Sequence, residues 1–130
     1  KNAMTNRAVI STTDAPHAVG PYSQAVKVGN LVWISGQIAL DPESNEMLDA
    51  DVSFQARQAF KNLSEISKAA GGSMSDAVKI NISLVRIEDF DDVNKVMEEF
   101  FQPPFPARAC VQVAALPKGA SIEIEAILSI

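Results

Sequence analysis

Two periodicities divide the chain. Between residues 51 and 70, Val52, Ala56, Ala59, Phe60, Leu63, Ile66 and Ala70 recur at three- and four-residue spacing. That spacing lines one side of a helix with apolar groups and predicts a helix that buries this stripe. Asp49 or Asp51 can cap its first amides, and Gly71-Gly72 can take the left-handed conformation that stops it. A second helix is predicted over about residues 89–101, with Phe90, Val93, Met97 and Phe100 inward and Pro103-Pro104 ending it. Six β-rich runs fill much of the remainder: 8–13, 25–28, 31–38, 77–87, 107–114 and 121–128. Gly29-Asn30 between the second and third is a hairpin signal, because both residues tolerate positive φ. Residues 14–24 and 39–50 read as loops, and a turn around Pro117-Lys118-Gly119 joins the last two strands.

The predicted order is βββαβαββ. Strand–helix–strand steps give parallel neighbours and hairpins give antiparallel ones. One mixed α+β sheet with both helices on a single face satisfies both, and leaves the other face uncovered. In 31–38, Val32, Ile34 and Ile38 alternate with Leu31, Trp33, Ser35 and Gln37. In 107–114, Arg108, Cys110, Gln112 and Ala114 lie opposite Ala109, Val111 and Val113. In 121–128, Glu123, Glu125 and Ile127 lie opposite Ile122, Ile124, Ala126 and Leu128. Each strand is expected to turn an apolar face to the helices and a mixed face outward. Mixed faces carrying Trp, Leu and Ile resemble interfaces, so a closed homo-oligomer with facing sheets is expected.

Composition narrows the class. The 130 residues suit one domain, and 47% hydrophobic with 21% charged residues is an ordinary globular balance. Residues 1–3 look like an expression scar before a start at Met4, leaving 4–130 as the domain. No apolar run is long enough to span a bilayer. A net charge of -5 argues against non-specific nucleic-acid binding. One cysteine and one histidine exclude an internal disulfide and make a His-based metal site improbable, which suits a reducing cytosol.

The tightest group of chemically capable residues is Arg108, Cys110 and Glu123, with Ser35 and Gln37 as neighbours on the mixed face. A guanidinium offers a planar fork that fits a carboxylate at two points. A glutamate can hold a water and take its proton. The same pair also fits an ordinary interface ion pair, with Cys110 a small core residue, and spacing alone favours that plainer reading. Glu125 shares the face of Glu123 and fits an acid–base partner less well than an interfacial salt bridge. Cys110 is a poor covalent nucleophile with no base in prospect, because His17 lies in a distant loop. Tyr22, on a loop fixed by Gly20 and Pro21, can close a small pocket or pack at the loop base.

Together, these stretches carry a resemblance. Gly20-Pro21-Tyr22, Ile34-Ser35-Gly36-Gln37, Gln55-Ala56-Arg57-Gln58, Val93-Asn94, Phe105-Pro106-Ala107-Arg108-Ala109-Cys110-Val111 and Leu116-Pro117-Lys118 followed by Ile122-Glu123-Ile124-Glu125-Ala126 occur in one order from about Val9 to Ile127. The chain resembles the reactive intermediate deaminase A group of the YjgF family. The resemblance implies a chorismate-mutase-like fold, a homotrimer with sites in the clefts between subunits, and no cofactor or metal. It implies hydrolysis of 2-aminoacrylate and 2-aminocrotonate, or their imine tautomers, to 2-keto acids and ammonia. Under it, Arg108 binds the substrate carboxylate, Cys110 lines the pocket near the imine, and Glu123 holds the attacking water. Tyr22, Ser35, Gly36, Ala109 and Asn94 make up the substrate-binding set. Ala109 stands where members often carry Ser and faces away from Arg108. The short Gln102-Pro103-Pro104 segment and Met97, where an aromatic residue is common, bear on substrate range.

Two other functions compete with hydrolysis. One is a non-catalytic sensor that binds small 2-keto acids in the same cleft. The other is an endoribonuclease or translation inhibitor, which the acidic balance and the lack of a His pair disfavour.

Overall fold

The computed structural model describes residues 6–130; the expected scar and the start at Met4 lie outside them. The strands are β1 (Arg7–Ile10), β2 (Ala25–Val28), β3 (Leu31–Gln37), β4 (Ala77–Leu84), β5 (Ala107–Gln112) and β6 (Ile122–Ser129). The helices are α1 (Val52–Ala69) and α2 (Phe90–Phe100). Asp51 caps α1, its carboxylate accepting from the Phe54 amide at 2.9 Å, and Gly71 follows with φ +94°. Both helix ends thus fall where the polar and glycine signals put them.

The six strands form one mixed sheet in the order β1-β2-β3-β6-β4-β5. All neighbours are antiparallel except β4 and β5, which the α2 crossover makes parallel. The expected turn at Pro117–Gly119 joins the last two strands but does not close a hairpin. β5 and β6 are successive in the chain but not neighbours, because β6 inserts between β3 and β4. The connection instead passes β4, with Val113 donating to the Leu84 carbonyl and Val85 to that of Ser121. A turn signal between two strands cannot distinguish that path from a hairpin.

The core lies between the helices and one sheet face. Phe60, Leu63 and Ile66 of α1 meet Val32, Ile80, Ile82, Leu84, Ile122, Ile124 and Leu128, all essentially without solvent exposure. Phe60 stacks on Phe100 at 5.1 Å and meets the edge of Phe101 at 5.8 Å, which locks α2 to α1. Buried Gln55 and Asn62 hydrogen-bond backbone groups of the surrounding loops (Ala50, Ser121, Ile38 and Leu40), so their burial is compensated.

Among the described residues nothing covers the opposite face within one chain. One row across it reads Val9, Val26, Trp33, Ile127, Lys79 and Ala107. Val9, Trp33 and Val111 expose 65%, 46% and 52% of their surface, so large apolar side chains lie open among the polar ones on this face.

A bulge in β3 is the second departure. Ile34 pairs with Ala126 and Gln37 with Ile124, so Ser35 and Gly36 together oppose Glu125. The extra residue turns Gln37 to the buried side, away from the face it was expected to share with Ser35.

Candidate functional site

Arg108 lies in β5 opposite Ile80 of β4, and Cys110 opposite Ile82. Both isoleucines point into the core beneath the helices, so Arg108 and Cys110 face the helix side. The guanidinium is held by α2. It donates to the Asn94 side-chain oxygen, lies 4.9 Å from the centroid of the Phe90 ring, and approaches the Met97 sulfur at 3.7 Å. Asn94, Met97, Glu98, Phe105, Pro106 and Arg108 line an open cavity of about 520 Å³. This half of the site offers a preset, exposed cation with unused donors.

Glu123 lies in β6 opposite Ser83, and Glu125 opposite Asn81, both on the open face. The expectation that Arg108 and Glu123 share a face is therefore wrong within one chain: they lie on opposite sides of the sheet, with β4 between their strands. The alternation within β5 and β6 is as expected, but β5 is inverted. It is an edge strand, where α2 covers the helix side only partly, so polar Arg108 and Gln112 are tolerated there. Ala109 and Val111 belong to the open face instead. Ala109 pairs with Asn81 and is not part of the Arg108 cavity.

The Glu123 half is built from the bulge outward. A side chain on Gly36 would meet the Glu123 carboxyl carbon at 2.8 Å and one oxygen at 3.0 Å, so the missing Cβ is the space the carboxylate uses. Ser35 is fixed by its amide to the Gln24 carbonyl (2.9 Å) and its hydroxyl to the Ser23 carbonyl (2.6 Å). Tyr22 follows a tight turn in which its amide bonds the Gly20 carbonyl at 2.8 Å. Tyr22, Gly36 and Glu123 line a small cavity of about 110 Å³ together with His17, Gln24 and Lys118. Gln24 is already committed to Thr12, Ala15 and Pro16, and Gln37, which also lines the cavity, donates to the Ser35 carbonyl; the tyrosine, histidine, lysine and glutamate are its other polar groups. Tyr22 and Ser35 also border a larger hollow, about 560 Å³, on the open face with Trp33, Asn81 and Glu125.

Burial pushes the Glu123 carboxyl above its ordinary pKa, and the neighbouring Glu125 charge adds to this. Burial likewise raises the Cys110 thiol, with Arg108 opposing, so Cys110 is a half-buried thiol rather than a primed nucleophile. Among the described residues no group of three His, Cys, Asp or Glu is placed to hold a metal ion. No helix among them is long and apolar enough to cross a membrane.

The structure joins Arg108 with Asn94, and Glu123 with Tyr22 and Gly36, while Ser35 lies in the adjoining hollow with Tyr22 and Glu125; it does not join the Arg108 and Glu123 groups with each other. Three nearby residues escaped the sequence reading. His17 was assigned to a remote loop, yet that loop folds back over Glu123. Lys118 sits in the turn that the sequence predicts, with φ +57°, and nothing local to it indicates that this turn reaches Glu123. Asn81 carried no signal at all until the register placed it beside Glu125.

A profile described as Endoribonuclease L-PSP matches residues 12–130. The chain is 50% identical to the 2-iminobutanoate/2-iminopropanoate deaminase of Dermatophagoides farinae, over 98% of this chain and 99% of that one. The crystal structure of RidA from the Antarctic bacterium Psychrobacter sp. PAMC 21119 superimposes with a TM-score of 0.92 at 54% identity, covering 95% of this chain and 99% of that chain. The crystal structure of E. coli TdcF with bound serine matches with a TM-score of 0.90 at 43% identity, covering 95% and 98%.

Proposed function

The chain belongs to the Endoribonuclease L-PSP (RidA/YjgF) family, with its chorismate-mutase-like fold, and from that premise we propose that it hydrolyses small 2-imino acids to 2-keto acids and ammonia in clefts between copies of itself. The carrying observation is the split site. A preset guanidinium and a confined carboxylate lie on opposite faces of one sheet, and the face bearing the carboxylate is mixed, with exposed Val9, Trp33 and Val111 among its polar groups and no cover among the described residues. Packing open faces around a closed ring, a homotrimer in this reading, lets Arg108 of one copy approach Glu123 of the next. Relatives about half identical in sequence are named deaminases of 2-iminobutanoate and 2-iminopropanoate, and the TdcF structure holds serine, a molecule of this size class.

In the proposed reaction, Arg108 grips the substrate carboxylate through its free donors, while Asn94 and Phe90 hold the guanidinium in place. Glu123 takes a proton from water as the oxygen bonds to the imine carbon. That proton passes to nitrogen to give a carbinolamine; Glu123 then moves the hydroxyl proton to the amino group, the carbon–nitrogen bond breaks as the carbonyl forms, and ammonia leaves a 2-keto acid. Tyr22, Ser35 and the Gly36 backbone border the reacting atoms, and Cys110 stays a neutral lining group. A raised carboxyl pKa makes Glu123 a better base near neutrality. Only water is consumed, and the cytosol is the expected compartment.

The test is keto-acid release from imine generated in situ, with Arg108→Ala and Glu123→Ala as inactive variants. Mixing these two variants and letting the copies exchange should restore activity, since random assortment rebuilds about a quarter of the clefts. Two active single variants would sink the reading, and mixing without recovery would sink the shared cleft. Ketobutyrate binding with no turnover would instead favour a sensor. RNA cleavage that survives loss of Arg108 and stringent purification would favour the nuclease named in the family description.

A further inference from the structure

We propose that Glu125, pinned by Asn81, is a positioning residue that holds a fixed negative charge beside Glu123 and makes Glu123 a stronger proton acceptor; this rests on the imine-hydrolysis reading. The geometry is local and specific. Glu123 and Glu125 are two residues apart on β6 and point to the same face, roughly 7 Å apart along the strand. Asn81, the β4 partner of Glu125, donates its amide to the Glu125 carboxylate at 3.0 Å. Among the described residues Glu125 joins no ion pair. A lysine or arginine at Asn81 would fix the carboxylate and cancel its charge. A neutral amide fixes it and leaves the charge in full.

Glu123 has little freedom to escape that field. The Ser35–Gly36 bulge closes on its carboxyl group from β3, and a Cβ there would overlap it. Ser83 faces it from β4 and carries no charge. Tyr22 and His17 from the loop before β2, and Lys118 from the turn before β6, share its cavity, yet none forms an ion pair with it; Arg108 of the next copy, which the proposed assembly brings to the same cleft, acts equally in the wild type and in both variants below. The direction in which burial and Glu125 move the Glu123 carboxyl agrees with this arrangement. The sequence pattern Glu-Ile-Glu thus places a base and the charge that strengthens it one strand pleat apart.

The experiment is the pH profile of kcat/KM for imine hydrolysis in the wild type, Glu125→Gln and Asn81→Lys. Glutamine keeps the shape and still accepts from Asn81, so it removes charge alone. Asn81→Lys neutralises Glu125 from the other side and covers the case in which the first variant fails to fold. Both should move the acid limb to lower pH and lower the plateau about threefold to tenfold, as a weaker base does. Profiles that superimpose on an active wild type would overturn the inference while leaving the hydrolysis reading intact. If the wild type does not turn over, ¹³C NMR titration of the carboxyl signal lost in Glu123→Gln still decides it. A midpoint unmoved by Glu125→Gln overturns the proposal, and a midpoint moved down supports it.

Discussion

Gly36→Ala separates catalysis from stability. The added carbon would lie 2.8 Å from the Glu123 carboxyl carbon, 3.0 Å from its Cγ and 3.0 Å from one oxygen. Ordinary contacts are roughly 3.5–4.0 Å, so the carboxylate must retreat by about 0.5–1 Å. The colliding atoms are the far end of a side chain, not backbone, and Gly36 is not among the glycines with positive φ. The fold should therefore yield cheaply, by about 1 kcal/mol, the lower end of overpacking costs. The water held by Glu123 would be misplaced by a similar distance, and displacements of that size cost about 100-fold in rate. Gly29→Ala is the control. Its φ is +61° with nothing near, so it should cost about 1 kcal/mol in left-handed strain and leave kcat/KM alone. Urea unfolding and keto-acid release on the same preparations give both numbers. If Gly36→Ala matches wild-type kcat/KM, the close approach of backbone to carboxylate has no catalytic meaning and the reasoning is refuted.

Other consequences follow from the same geometry. Arg108→Lys keeps the charge but loses the planar fork and the stacking on Phe90, so KM should rise about tenfold or more with little change in melting temperature. Phe60→Ala removes the ring that joins both helices, and chemical denaturation should show a loss of about 3–5 kcal/mol. Glu123 has a folded-state pKa above its unfolded one, so ionising it opposes folding. Glu123→Gln should then be more stable than wild type at neutral pH, with the gain vanishing as pH falls below the ordinary carboxylate range; a constant difference across that range contradicts the assignment. Asp51→Ala should cost about 1 kcal/mol of stability through the lost helix cap, with kcat/KM unchanged.

Much of this molecule is local, and local features were legible. The stripe from Val52 to Ala70 has only one helical reading, Asp51 and Gly71 bracket it chemically, and Gly29-Asn30 marks a hairpin. Arg108, Glu123 and Tyr22 stood out as residue types, and motif resemblance pointed to their chemistry and added Gly36. Which side of the sheet each occupies was not legible. A two-residue alternation defines two faces and assigns the core to the more apolar one. In β5 that rule inverts, because its apolar residues Ala109 and Val111 lie on the open face and the helix side is only partly covered at the edge. Nor can alternation foresee the extra residue at Ser35–Gly36, which turns Gln37 inward and brings backbone against Glu123. Strand order, the Asn81–Glu125 contact and the folding of His17 over the carboxylate depend on residues distant in the chain. The amino acids alone determined the elements and the reactive groups. Only the tertiary structure decided that those groups sit on opposite faces, because pairing register is set by long-range packing and not by neighbours in sequence.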